Sequence, residues 1–428
     1  MSSKTPTESA AAHGDGQQRL SDTQSERLLR LLAVATFLVF FQAFMIAPLI
    51  PRLAHLFGAS TGAVGLAIPA YLLPYGAMTL VWGPLSDRLG RATVILGSLT
   101  AFVVLTALSS LAEGAGLFVA ARLVTAVGAS GVVPISLALI GDRFDYRRRG
   151  HALGWLFGAM AGGTAFGSSL GALLEPVVGW RGLFLAVSAA GLAVLALLWQ
   201  QRELLAGATG TRRRLRDVIG GYRNLLADGR AQRTYAYVLI NGVLHSGIYT
   251  WLGLYFLTRH GLSEAGIGLA VLAYGVPGFL LGPTVGRLAD RRGRSKLIPL
   301  GLAIGALSAL LLVPSSPVVV AAIIVGVLSL GYDLTQPLLA GIVTQLSANR
   351  GQAMGFNVFT LFVGFGAGSL LFQLLLAASF ESALIAFAVG AGLAAVAAIP
   401  LFSDEGRPGH EPGGVRQPGG VRPRSGQG

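Results

Sequence analysis

A chain of 428 residues that is 53% hydrophobic and only 12% charged, with a mean hydropathy of +0.66, has too little charge to clothe a soluble surface. It has no cysteine, which excludes disulfides, thiolate chemistry and Cys-ligated zinc or iron–sulfur sites. Lipid can solvate such a chain, provided each helix satisfies its own backbone hydrogen bonds, so an all-α membrane protein is expected.

Residues 1–27 are polar and read as a disordered tail, which argues against a cleaved signal peptide and leaves the first span as an anchor. Apolar runs follow at roughly 29–50, 62–83, 93–112, 116–140, 152–174 and 182–199, and again at 235–257, 265–286, 296–313, 317–346, 353–378 and 380–402. Most reach the ~20 residues that cross a ~30 Å hydrocarbon layer. The expected fold is therefore twelve transmembrane helices in two six-helix bundles, 28–200 and 234–402, joined by a basic linker at 201–233. In the linker, Leu215, Val218, Ile219, Tyr222, Leu225 and Leu226 recur at helical spacing among arginines. That suits a helix on the membrane surface, or equally a solvated segment whose arginines fix topology. Residues 403–428 are rich in Gly, Pro and Arg and read as a second disordered tail.

The formal charge of +13 is a matter of placement. With both termini on one side, 28 of the 32 Lys and Arg fall in the tails and loops of that side, Arg52, Arg181 and Arg259 fall on the other, and Arg122 lies inside the fourth span. This positive-inside bias puts both termini in the cytoplasm of a multi-pass cell (inner) membrane protein and leaves no reason to expect nucleic acid as a partner.

The two halves echo each other. Gly83–Arg91 and Gly286–Arg294 both read Gly-x-x-x-Asp-Arg-x-Gly-Arg at an offset of 203 residues, and Arg149-Gly150 returns as Arg350-Gly351 at an offset of 201. Such parallel repeats mark transporters. On these residues the chain resembles the major facilitator superfamily over roughly 28–402. Gly83, Leu85, Asp87, Arg88, Gly90 and Arg91 match its loop motif, Gly286, Asp290, Arg291, Gly293 and Arg294 match the second copy, and Gly179-Trp180-Arg181-x-x-Phe184 matches a run before span six. Its twelve-span drug:proton antiporter branch is similar in span four through Arg122 and Gly128-Ala129, with Thr125 and Ala126 in place of the usual Gln and Gly. Span five is similar through Gly154, Gly158, Gly162 and Gly163, with Ala159 in place of the proline. The resemblance implies alternating access, with Gly83, Asp87, Arg88, Gly90 and Arg91, together with Asp290 and Arg294, latching the halves when the outside is open. Asp142 is placed to pair with Arg88 or Arg91. The alternative is a capped, positively charged turn that only sets topology.

Polar residues inside spans are the candidates for chemistry, because each is costly there. Arg122 sits ~6 residues into its span, ~9 Å deep, and Asp333 is the one acidic residue within a span. Both are expected to face a central aqueous cavity, with Asp333 titrating to couple protons and Arg122 biasing its neighbours; a fixed structural pair is the alternative. Asn241, His245 and Tyr249 share a face, as do Tyr71 and Tyr75, while Gln42, Gln336 and Asn357 stand singly. These ten residues make the expected substrate cavity, although a membrane His also bonds neighbouring helices. The span-five glycines serve either packing or a sliding face between halves. No phosphate-binding loop or His-Glu-x-x-His pattern occurs, and Lys is found only at Lys4 and Lys296, so neither ATP, metal nor another cofactor is expected and the chain does not read as an enzyme. The reading is a monomeric, proton-coupled exporter of a small lipophilic drug or metabolite. The alternatives are an uptake or facilitative carrier for sugar, organic acid or peptide, and, from another class, a non-transporting membrane receptor or enzyme.

Overall fold

Prolines and glycines cut the apolar runs into helices. The computed structural model describes residues 22–143, 146–205, 215–275, 277, 294–347 and 350–406. Helix α1 (Asp22–Phe44) starts inside the segment expected to be a tail, with Leu28 and Leu29 fully buried. It is broken before Pro48 and continues, bent, through a 3-10 turn (Ala47–Leu49) and α2 (Ile50–Leu56), whose first turns carry Pro48 and Pro51. Proline tolerates these positions because it has no N–H to lose there. Ser60 caps α3 (Thr61–Gly65), and α4 (Pro69–Leu89) follows. A single residue, Gly90 at φ 88° and ψ 144°, turns the chain into α5 (Arg91–Ser109); that conformation favours glycine. Next come α6 (Ala115–Ala129) and α7 (Val132–Arg143).

Helix α8 (Tyr146–Gln200) runs 55 residues but holds Gly179 at φ 69° and ψ 159°, which is not helical. Its contacts show a hairpin. Gly163 packs past Phe37 of α1 and Gly171 past Met45, just beyond its end. Beyond the turn Arg181 donates to the carbonyls of Ser110 and Ala112, Ser188 to that of Val103, and Trp199 reaches the start of α5. Then come α9 (Arg202–Leu205), α10 (Leu215–Ala227), α11 (Gly229–His260), α12 (Glu264–Gly275), α13 (Arg294–Leu311), α14 (Val318–Val343), α15 (Arg350–Leu376) and α16 (Phe380–Leu401). Among the described residues nine stretches are long and apolar enough to cross a bilayer, the α8 hairpin counting once. Helix α11, 32 residues long, falls outside those nine.

Helix α1 packs on α8, and α5 on α6 and α8; α11 packs on α15, and α13 on α14 and α16; α4 against α15 crosses between the two groups. The linker segment α10 is helical and seated on the second group: Leu225 is buried with Ala231, Tyr235, Val343 and Ala353, and Tyr222 lies against Phe356.

The two ends of the bundle differ in charge. At the arginine-poor end Arg52 meets Glu175 at 3.3 Å and Glu264 at 3.8 Å, joining the two halves. There, too, Gln373 donates to the carbonyl of Gly62, Trp251 lies against Gly65, and a Cβ on Gly253 would sit 2.7 Å from Pro48 Cα. Arg259 binds Glu381 and the carbonyl of Val313. At the arginine-rich end the chain does not fray at 403. Residues Ser403–Gly406 form a 3-10 turn, and Glu405 accepts from Arg230 at 2.8 and 2.7 Å and from Arg233 at 2.7 Å. Burial pushes the Glu405 carboxyl up, but Arg230, Arg233 and Arg294 outweigh it and hold the group below its ordinary range.

Candidate functional site

The expected cavity residues separate into two polar pockets with an aromatic wall between them. In the first half, Arg122 of α6 is fully buried. Its guanidinium lies 4.1 Å from the Tyr71 ring centroid and donates to the carbonyls of Gln42, at 3.3 Å, and Ala43, at 2.9 Å. Those carbonyls are available because α1 breaks just beyond them, before Pro48, and leaves its last turn without intrahelical donors. Arg122 thus sits in an enclosed pocket, where cation–π and charge-assisted bonds offset desolvation. Around it, the Gln42 side-chain amide, the Tyr71 and Tyr75 hydroxyls and Arg122 Nε are buried without a hydrogen-bond partner. Such groups call for water or a polar solute.

In the second half, Asn241 of α11 donates to Gln336 Oε1 at 3.1 Å and accepts from Thr335 at 2.8 Å. This pair ties α11 to α14. One turn along, His245 Nδ1 is bonded to the Tyr274 hydroxyl, and its ring is enclosed by Tyr332 at 3.9 Å, Phe365 at 5.1 Å and Tyr249 at 5.6 Å. Beside this cage Asp333 is half-buried and accepts from Ser329 at 3.0 Å. A small cavity lined by Asn241, His245, Tyr274 and Tyr332 adjoins the cage. Asn357 is buried and its Oδ1 has no partner.

The wall consists of Phe40 and Phe44 from α1 and Phe362 and Phe365 from α15, with ring contacts of 6.1 Å (Phe40–Phe362) and 6.3 Å (Phe44–Phe365). Tyr75 stacks on Phe362 at 4.6 Å, and the Tyr249 hydroxyl crosses to Ser168 and to the Thr164 carbonyl. Sequence reasoning missed the cage and wall residues Tyr274, Tyr332, Phe362 and Phe365, because an aromatic in an apolar run looks like lipid-facing filler. Tyr332 adjoining Asp333 was the available signal.

The loop residues are partly visible. Asp87 pairs with Arg91 at 3.8 Å across the Gly90 turn, Gly83 has open space where a Cβ would go, and Arg88 is exposed. Arg294 lies against Gly341 of α14. Asp290 and the side chain of Asp142 lie outside the described residues. Of the span-five glycines, a Cβ on Gly163 would sit 2.6 Å from the Phe37 carbonyl oxygen and one on Gly162 would sit 3.6 Å from the Phe37 ring, whereas a Cβ on Gly154 or Gly158 would meet nothing within 4 Å. That stripe packs within the first half. Where span five meets the second half it does so against α12: a Cβ on Gly268 would sit 2.8 Å from the Ser169 carbonyl oxygen, and one on Gly275 would sit 3.2 Å from Ala165 Cα.

A bundle of apolar helices, without a strand among the described residues and with buried polar pockets meeting at an aromatic wall between two groups, defines a multi-pass membrane transporter. The chain belongs to the Major Facilitator Superfamily, whose family model matches residues 32–268 and 256–425. It is 29% identical over 336 residues to the uncharacterized MFS-type transporter YwfA of Bacillus subtilis (strain 168), an alignment spanning 76% of this chain and 81% of that one. It is 26% identical over 263 residues to a chloramphenicol resistance protein of Pseudomonas aeruginosa, spanning 60% of this chain and 61% of that protein, which is less than two thirds of its length. Among solved structures, a D-xylose-proton symporter superposes with a TM-score of 0.72 at 16% identity, covering 88% of this chain and 97% of that one. The chain thus resembles drug:proton antiporters of the family in sequence and shares the superfamily fold.

Proposed function

We propose that the protein is a proton-coupled exporter of small lipophilic drugs or metabolites, with twelve spans, both termini in the cytoplasm of the inner membrane, and alternating access between its two halves. The observation that carries the reading is the asymmetry of the two in-span charges. Arg122 is sealed by Tyr71 and two carbonyls, whereas Asp333 keeps partial exposure beside a mostly aromatic cage. Asp333 is thus the group free to exchange a proton, and the aromatic wall offers apolar surface to a lipophilic solute. Similarity to a chloramphenicol resistance protein favours export. The fold shared with a D-xylose-proton symporter keeps uptake as the competing direction.

The test uses purified protein in liposomes with an imposed proton gradient. Wild type should accumulate drug against its gradient and release protons in exchange, whereas Asp333→Asn should still bind drug but lose the dependence on the proton gradient. Solute moving together with protons would replace export by symport, and an unaltered proton dependence in Asp333→Asn would remove the coupling role from that residue.

A further inference from the structure

A cavity of about 680 Å³ opens on the flank of the first half, away from the central site, between the first turns of α5 and the end of the α8 hairpin. Its floor is apolar, with Leu96 and with Gly97, where a Cβ would meet nothing within 4 Å. Thr93, Gly97 and Thr100 are exposed along one face of α5, so the groove descends over two helical turns, about 11 Å. Its mouth is polar: Trp199 is 54% exposed, and Arg202 and Glu203 on α9 are both exposed. Neither Arg202 nor Glu203 has a hydrogen bond or ion pair with another described residue.

We propose that this groove holds one phospholipid with an amine-bearing headgroup. The assignment rests on the orientation argued under Proposed function, which places the mouth of the groove at the cytoplasmic leaflet. A tryptophan at that level is an interfacial anchor, and a basic residue at the mouth of an inter-helix groove on this side binds lipid phosphate. Arg202 supplies the charge-assisted contact to the phosphate, and the hydroxyl of Thr93 and the indole N–H of Trp199 supply donors at the same level. Glu203, adjacent in sequence, disfavours a headgroup with net negative charge and accepts from a primary ammonium. The acyl chain lies along Leu96 in the space that Gly97 leaves empty.

Native mass spectrometry of the full chain, released from micelles containing equal phosphatidylethanolamine and phosphatidylglycerol, tests the assignment. Wild type should retain one phosphatidylethanolamine in preference to phosphatidylglycerol. Arg202→Gln should reduce that retention about fivefold, as removal of one basic contact at the lipid surface predicts, and Gly97→Leu should reduce it by filling the groove. Both variants should keep their melting temperatures, since both positions are exposed. Retention unchanged in both variants, or no preference between the two headgroups in wild type, would overturn the proposal. So would equal retention of diacylglycerol, which lacks the phosphate. An altered proton dependence of transport in Arg202→Gln would instead bear on the transport reading.

Discussion

At the scale of single residues, the two ionisable groups within the spans have opposite surroundings, and the sealed one, Arg122, invites two substitutions. Tyr71→Phe removes a buried hydroxyl that has no protein partner while keeping the ring beneath Arg122. If that hydroxyl meets a solute, drug affinity should fall about fivefold, the size of one neutral hydrogen bond, with little change in melting temperature; isothermal titration of purified protein measures both partners of the comparison. Arg122→Ala, by contrast, forfeits two hydrogen bonds and the ring contact and leaves a cavity, so folded protein recovered from membranes should drop sharply. The sequence identified Arg122 and Asp333 by their cost in lipid. It could not reveal that α1 breaks near Pro48 in a way that offers Gln42 and Ala43 carbonyls to Arg122, because that pairing depends on where a distant helix ends. Asn241 and Gln336 satisfy each other for the same kind of reason: a polar face tells which residues need partners, and the tertiary fold decides whether the partner is protein or solute.

At the scale of helices, proline, glycine and apolar run length placed most boundaries, because lipid leaves the backbone no choice but helix. The failures have physical causes. Helix α11 falls outside the strictly apolar set while carrying the polar face made by Asn241 and His245. The four-residue glycine stripe promised one continuous face, yet its continuation at Gly167 and Gly171 turns to Phe41 and Met45 in the first half, and span five meets the second half through Ala165 and Ser169 against α12. Gly167→Leu would place a Cβ 2.9 Å from Phe41 Cα; overpacking of this kind costs about 1–3 kcal/mol, so its melting temperature should fall by several degrees while Gly154→Leu leaves it unchanged. The turn after α16 yields a pH prediction. The folded protein holds Glu405 below its ordinary value of 4.5, so the unfolded chain takes up the proton first. The stabilisation is complete near neutral pH and disappears as pH falls through the folded-state value. Glu405→Gln should therefore melt roughly 5 °C below wild type at pH 7, with the gap closing in acid, as followed by tryptophan fluorescence.

At the scale of the whole molecule, the charge count and the repeat offset together announced two related halves, and the contacts show how they meet. Reporter fusions at Gly58 and Ala208 should give outside and inside signals respectively. Reversal at either site would overturn the proposed orientation and, with it, the leaflet assigned to the flank groove.

The seal at the arginine-poor end combines two unlike materials. Its ion pair is partly open to water, with Arg52 40% and Glu264 33% exposed, so it contributes under ~1 kcal/mol and weakens with salt. The contacts of Gly253 with Pro48 and of Gly65 with the buried Trp251 ring carry no charge, and salt leaves them untouched. In pharmacological terms, and in the orientation proposed above, this seal stands between the aromatic wall and the surrounding medium. A membrane-impermeant blocker shaped for the aromatic wall should therefore inhibit inside-out vesicles readily and spare right-side-out ones. Gly253→Val, by wedging the seal apart, should abolish that difference between the two vesicle preparations.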